Sequence, residues 1–242
     1  MSFRYGQGEK ALDGIDLTIQ AGEKLGIIGT TGAGKSSLVN LIPRFYDPEA
    51  GTVLVDDVDV QDLTFDTLRT RVAMVLQETV LFSGTIRDNI AFSAPNASQT
   101  ELERAAKIAC AMEFIGDKPE GWDASVGERG AGLSGGQRQR VAIARAIAAD
   151  PDIIILDDVT SSLDATTERR IVEGLYSEFR DRTAIIISQK INTIRNADRI
   201  VVMEDGSIIA TGTHEELLKS DPTYRTIFET QSGSAVYGRI PA

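Results

Sequence analysis

Short apolar runs separated by amphipathic stretches set the layout of this chain. Lys24 to Ile28 runs into a glycine-rich loop, and Lys35 to Ile42 behind it reads as a helix. Strand, loop and helix therefore follow one another. Thr52 to Val60 alternates apolar and acidic residues, the two-residue period of a half-exposed strand. Val72 to Leu76 reads as a buried strand. Ile153 to Leu156 and Ala184 to Ile187 are unbroken apolar runs, which suit central strands of a parallel sheet covered on both faces. Arg199 to Met203, then Asp205-Gly206, then Ser207 to Ala210 predict a hairpin with a tight turn.

The middle of the chain has a different rhythm. Thr100 to Met112 has helical spacing, with Leu102, Ala105, Ala106 and Ala109 on one face. Gly127 to Gly136 is glycine-rich, and Gln137 to Ala149 has helical composition. Glu215 to Lys219 begins a helical tail. The last ten residues, rich in Gly and Ser, read as loosely ordered. Strands and helices alternate at both ends around a mostly helical middle from about Glu78 to Ala149. The pattern predicts an α/β lobe (1–77 and 150–242) that carries an inserted helical subdomain (78–149). Repeats at solenoid spacing and low-complexity segments are absent from the sequence.

Composition narrows the partners. A length of 242 residues suits one large domain or two intimate lobes. The net charge of −11 argues against nucleic acid as the main partner. The single cysteine, Cys110, excludes an internal disulfide and fits a cytosolic setting; in the apolar stretch Ala105 to Met112 it reads as a small core residue. No apolar run approaches the roughly 18–20 residues that span a bilayer, and the N-terminus lacks the look of a signal peptide. The chain by itself is expected to be soluble, which also fits a soluble piece of a membrane protein. Its start at Met1, close to Tyr5, is what a domain cut from a longer chain would show.

The chemistry begins in the first glycine-rich loop. Gly29-Thr30-Thr31-Gly32-Ala33-Gly34-Lys35-Ser36 follows a strand and opens a helix, with Ser37 next in line. The glycines let the backbone curl until several N–H groups point inward at phosphate oxygens. The helix adds its positive N-terminal end. Lys35 is placed for the β- and γ-phosphates and the Ser36 hydroxyl for Mg²⁺. The chain is therefore expected to bind ATP with Mg²⁺. The run Ile153 to Leu156 ends in Asp157-Asp158, and a carboxylate at such a strand tip is where Mg²⁺ takes a further ligand; Asp157 is assigned that part. Leu133-Ser134-Gly135-Gly136-Gln137 precedes a second helix. Ser134 is placed to cap it, and the Gly135 and Gly136 N–H groups offer a second anion site. Two phosphate sites far apart in one chain point to a dimer with ATP between unlike sites.

With these motifs in order, the chain resembles the nucleotide-binding domain of an ATP-binding cassette (ABC) transporter over essentially its full length. The resemblance implies a P-loop NTPase (RecA-like) core with a mainly parallel sheet, an N-terminal antiparallel β part and the inserted helical subdomain. It implies that Gln77, in Gln77-Glu78, touches Mg²⁺ or the attacking water and reports to a membrane domain. Tyr5 matches an aromatic that stacks on adenine. Ser161-Ser162-Leu163-Asp164 resembles a loop that crosses the dimer interface. Val126 to Gly130, Leu81 to Ile86 and Gly212 to Leu217 resemble exporter segments. His214, the one histidine, falls in a helix-start segment and reads as structural. A transmembrane domain, a second nucleotide-binding domain and a place at the cytoplasmic face of the cell membrane are implied partners and setting. The membrane helices that choose a substrate lie outside this sequence.

Two positions depart from the family. Asp158 stands where glutamate usually polarises water, one methylene shorter, which draws the carboxylate back by about 1.5 Å. A misplacement of about 1 Å can cost on the order of 100-fold in rate. Gln189 stands where histidine usually contacts the γ-phosphate, and glutamine cannot carry its positive charge. Binding is expected to survive and hydrolysis to suffer, as in the degenerate half of a heterodimeric exporter that completes a partner's competent site with Ser134 to Gln137. The paired changes look more like natural divergence than a designed knock-out. An autonomous homodimeric ATPase and a non-transport ABC ATPase are the rival readings.

Overall fold

The computed structural model describes residues 1–160 and 162–233. Its centre is a six-stranded sheet ordered Val72–Val75, Ile153–Asp157, Thr183–Ile187, Lys24–Gly29, Arg199–Glu204, Ser207–Gly212. Neighbours are parallel except the last pair, which is the expected hairpin. Asp205 and Gly206 turn it, both with positive φ.

The unbroken apolar runs exist because both faces are covered. Ile154, Leu156, Ala184 and Ile186 bury on one face, and Ile155, Ile185 and Ile187 on the other. The first face meets Val141, Ile143 and Ala144 of helix Gly135–Ala148; the second meets Leu38, Val39 and Leu41 at the first helix. Removing each such isoleucine side chain from water contributes about 1.5–3 kcal/mol. Helices Ile86–Ala91, Gln99–Ile108 and Met112–Gly116 pack into the same first cluster. A small antiparallel pair, Phe3–Arg4 with Lys10–Leu12, forms the N-terminal β part.

Several expectations need correction. Thr52 to Val60 is a hairpin of two short strands, Leu54–Val55 and Val58–Asp59. Asp56 and Asp57 between them both take positive φ (50° and 63°), the turn that matches strand twist. The helix expected over Thr100 to Met112 ends at Ile108, because Cys110 adopts a left-handed φ of 53° before a new helix starts at Met112. Cys110 is nevertheless buried, and burial pushes its thiol pKa up. Val72–Val75 is an edge strand, and Leu76 beyond it is exposed. The helical middle also contains a short ribbon, Gly84–Thr85 with Ser125–Val126. The tail forms two helices, His214–Ser220 and Pro222–Gln231. Of the last ten residues, all but Gly233 lie outside the described residues, as does Ser161. Among the described residues no helix is long and apolar enough to cross a membrane.

Candidate functional site

Strand Lys24–Gly29 is buried throughout and delivers the chain into the glycine-rich loop. Gly29 admits no side chain: a Cβ there would lie 2.1 Å from the Met203 carbonyl oxygen of the adjacent strand. Gly34, with φ of 91°, starts helix Lys35–Asn40, and a Cβ there would come 2.6 Å from the Ala11 carbonyl oxygen. Thr30, Thr31 and Gly32 face solvent, while Ala33 is buried. The loop thus offers open backbone on a rigid base.

Lys35 is buried inside that loop, and its Nζ donates to the carbonyls of Gly29 (2.9 Å) and Thr30 (2.8 Å). Burial lowers its pKa, and the nearby carboxylates of Asp158 and Asp157 oppose that shift. The Ser36 hydroxyl donates to Asp157 Oδ1 at 3.0 Å, so the two expected Mg²⁺ ligands already face each other. Asp157 is buried at the tip of its strand, and burial raises its pKa. Among the described residues there is no cluster of three His, Cys, Asp or Glu that could cage an ion. One carboxylate and one hydroxyl fit Mg²⁺, which keeps waters and phosphate oxygens as its other ligands.

Asp158 leaves the strand in a left-handed conformation (φ 49°), and its N–H donates to the Ile187 carbonyl at 3.0 Å. Asp tolerates this conformation better than most residues. Burial raises its pKa, while Gln189, Lys35 and Lys190 pull the other way. Gln189 Nε2 donates to Asp158 Oδ2 at 3.3 Å. Asp158 and Gln189, the two positions expected to weaken hydrolysis, are therefore bonded to each other.

Tyr5 is anchored beside the loop. Its hydroxyl donates to Ser37 Oγ at 3.1 Å, and its ring meets Phe3 and Tyr46 edge-on at 4.8 and 5.0 Å. The residue stays 44% exposed, which leaves room for a planar ligand beside it. Gln77 is exposed just beyond strand Val72–Val75, whose Val75 pairs with Leu156, and it makes no hydrogen bond among the described residues. It lines an open cavity of about 570 Å³ with Arg129, Gly135, Arg138 and Ser162.

Ser134 caps helix Gly135–Ala148 as expected. Its hydroxyl accepts the Gln137 N–H at 3.2 Å, and Gln137 Oε1 accepts the Ser134 N–H at 3.0 Å. A Cβ at Gly136 would lie 3.3 Å from the Ser162 carbonyl oxygen, so the helix start is seated on the Ser162-Leu163 turn. Ser134, Gly135 and Gly136 share a second open cavity, about 450 Å³, with Asp164 and Thr167. Among the described residues neither cavity is lined by the loop at 29–37. The Ser134 segment and the glycine-rich loop are thus not brought together in either cavity. His214 is structural: its Nδ1 lies 2.8 Å from the Tyr224 hydroxyl, and its ring packs edge-on against Phe228.

Sequence reasoning missed Glu168 and Gln231. Glu168 is buried and accepts hydrogen bonds from Thr160, Lys190 and Thr193. Gln231 grips the backbone of Gln189 and Ile191. Neither carries a local motif, because each acts across a long stretch of chain.

Comparison with known proteins finds relatives along most of the chain. Residues 12–161 match the ABC transporter family model. An ATP-dependent lipid A-core flippase of Desulfotalea psychrophila is 47% identical over 231 residues, 96% of this chain and 40% of that protein. A heterocyst differentiation ATP-binding protein of Nostoc is 47% identical over 219 residues, 90% of this chain and 36% of that protein. A solved structure of a bacterial Atm1-family ABC exporter with ATP bound superposes with a TM-score of 0.92 at 39% identity, covering 96% of this chain and 41% of that one. The chain spans about two fifths of the length of these relatives.

Proposed function

Because the chain belongs to the ABC transporter family, as an ATP-binding domain of the exporter type, we propose that it is the degenerate half of a heterodimeric exporter motor. It holds ATP in its own loop and lends Ser134 to Gln137 to a partner's ATP. Domains of this family are ATPases, and the isolated chain is expected to turn ATP over weakly or not at all. ATP-driven dimer closure then works a transmembrane domain, with this chain at the cytoplasmic face of the membrane. In this reading residues 1–77 and 150–242 form the nucleotide lobe and 78–149 the helical subdomain.

One observation carries the reading: Gln189 Nε2 donates to Asp158 Oδ2 at 3.3 Å. A good base needs its carboxylate aimed at water, and here the carboxylate is held by a neutral amide. Gln189 cannot become cationic to meet developing charge on a γ-phosphate. The cradle itself is untouched, with Gly29, Gly32 and Gly34 shaping it and Lys35 inside it. Ser36, Asp157 and Gln77 would hold Mg²⁺, which when bound neutralises charge on the phosphates. Tyr5 would stack on adenine. The cavity at Ser134 is not lined by the glycine-rich loop, which supports a site completed by a second domain.

ATP turnover of the purified chain, alone and with candidate partner domains, tests this. Vigorous turnover by the chain alone would overturn the degenerate-site reading. Asp158→Glu with Gln189→His should raise turnover at this chain's own ATP site by up to about 100-fold, the cost of a misplaced base, read in an assembly whose partner site is inactivated.

A further inference from the structure

A carboxylate hidden behind the site joins the two segments that carry the atypical pair. Glu168 lies on helix Ala165–Glu178 and is 4% exposed. A buried carboxylate persists where hydrogen bonds and opposite charge replace its water. Its partners come from both sides of the site. Oε1 accepts the Thr160 hydroxyl at 2.6 Å and also the Thr193 hydroxyl, and Oε2 accepts the Lys190 ammonium at 2.8 Å. Thr160 lies two residues beyond Asp158, Lys190 directly follows Gln189, and Thr193 is on helix Ile191–Ile194. Both threonines are buried as well, so the net is closed to solvent on the hydroxyl side.

We infer that Glu168 is a positioning residue of the nucleotide site, holding the turn that carries Asp158 and the segment that carries Gln189 as one unit. The inference rests on the reading of Asp158 and Gln189 as the hydrolytic positions of the site. Among the described residues Glu168 bonds neither of them, nor the glycine-rich loop, so it acts through Thr160, Lys190 and Thr193. Gln231 holds the same segment from the C-terminal helix, accepting the Ile191 N–H at 2.8 Å and donating to the Gln189 carbonyl. The segment therefore has two anchors, and Glu168 is the one shared with the Asp158 turn.

The test compares Glu168→Ala and Glu168→Gln in the intact chain by amide hydrogen exchange and MgATP binding. Glu168→Ala should speed exchange over 157–160 and 187–194 together by about tenfold or more, as local openings lose three bonds to a charged group. Protection of strand Lys24–Gly29 and MgATP affinity should stay within about threefold, because Glu168 bonds neither that strand nor the glycine-rich loop. Glu168→Gln keeps an acceptor for the threonines and should restore most of the protection. In the Asp158→Glu, Gln189→His background, Glu168→Ala should lower kcat by about tenfold at unchanged KM. Faster exchange on one side alone, or a uniform rise across the sheet with lost ATP affinity, would overturn the inference. Failure of the unaltered chain to bind MgATP would instead sink the nucleotide reading and leave the exchange result standing.

Discussion

Gly29→Ala puts one methyl group where backbone already stands. Its Cβ would lie 2.1 Å from the Met203 carbonyl oxygen and 3.1 Å from the carbonyl carbon. A carbon rests about 3.3 Å or more from a carbonyl oxygen, so the two strands must part by about 1.2 Å. Gly29 and Met203 are register partners in the buried interior of the sheet, and no flexible side chain can yield in their place. Overpacking of this kind costs about 1–3 kcal/mol, and the upper end applies where backbone must move. A chain of this size loses about 2–4 °C per kcal/mol, so the melting temperature should fall by about 6–12 °C. The Gly29 carbonyl also receives the Lys35 ammonium at 2.9 Å, so ATP affinity should fall with it. Gly32→Ala is the matched control. Nothing lies within 4 Å of its added Cβ, and the cost is only that of a φ of 87°. That is about 1 kcal/mol, or about 2–4 °C. Thermal unfolding of the two variants, followed by ATP titration, decides the matter. If Gly29→Ala melts within about 3 °C of the unaltered chain, or if Gly32→Ala loses more, the close-approach argument fails.

Other variants separate fold from chemistry. Burial holds the Asp157 carboxyl above its ordinary 3.8, so the folded state bears a growing cost as pH rises through about 4 and upward. Asp157→Asn removes that cost: its melting temperature should gain on the unaltered chain as pH rises above about 4 and then hold the gain, while Mg²⁺ stops tightening ATP binding. A pH-independent difference would contradict the sign of the shift. Ser134→Ala should cost about 1 kcal/mol of helix capping, seen as a drop of about 2–4 °C. Equilibrium dialysis of the monomer should find ATP bound as before, since Ser134 bonds Gln137 and its cavity is not lined by the glycine-rich loop; lost binding would refute that separation. His214→Ala should lower the melting temperature by a similar amount through the lost Tyr224 hydrogen bond. An unchanged ATP affinity would accord with a structural histidine, and a lost one would not.

What the sequence made legible is what depends on neighbours along the chain. The strand-to-helix loop at Gly29 to Ser36, the cap at Ser134 and the turn at Asp205-Gly206 each need only a few adjacent residues. The parallel runs were readable because burial on both faces forbids polar interruptions. The turn at Asp56-Asp57 escaped notice because its positive φ values fall on aspartates rather than on glycine. The break at Cys110 escaped for the same reason. The bond between Asp158 and Gln189, the net around Glu168 and the aromatic group of Phe3, Tyr5 and Tyr46 join residues distant in the chain. No local pattern encodes them, since only the folded sheet brings their segments side by side.

The grip of Gln231 on Gln189 and Ile191 bears on how short this chain can be made. The sixth strand ends at Gly212, and a cut there would leave every strand of the sheet. It would also delete helix Pro222–Gln231, free the Gln189 carbonyl and strip the Ile191 amide of its acceptor. Such a fragment would retain its strand ladder but lose a fixed end for its Gln189 segment. The length needed to keep the nucleotide chemistry in register is therefore greater than the length needed to close the sheet.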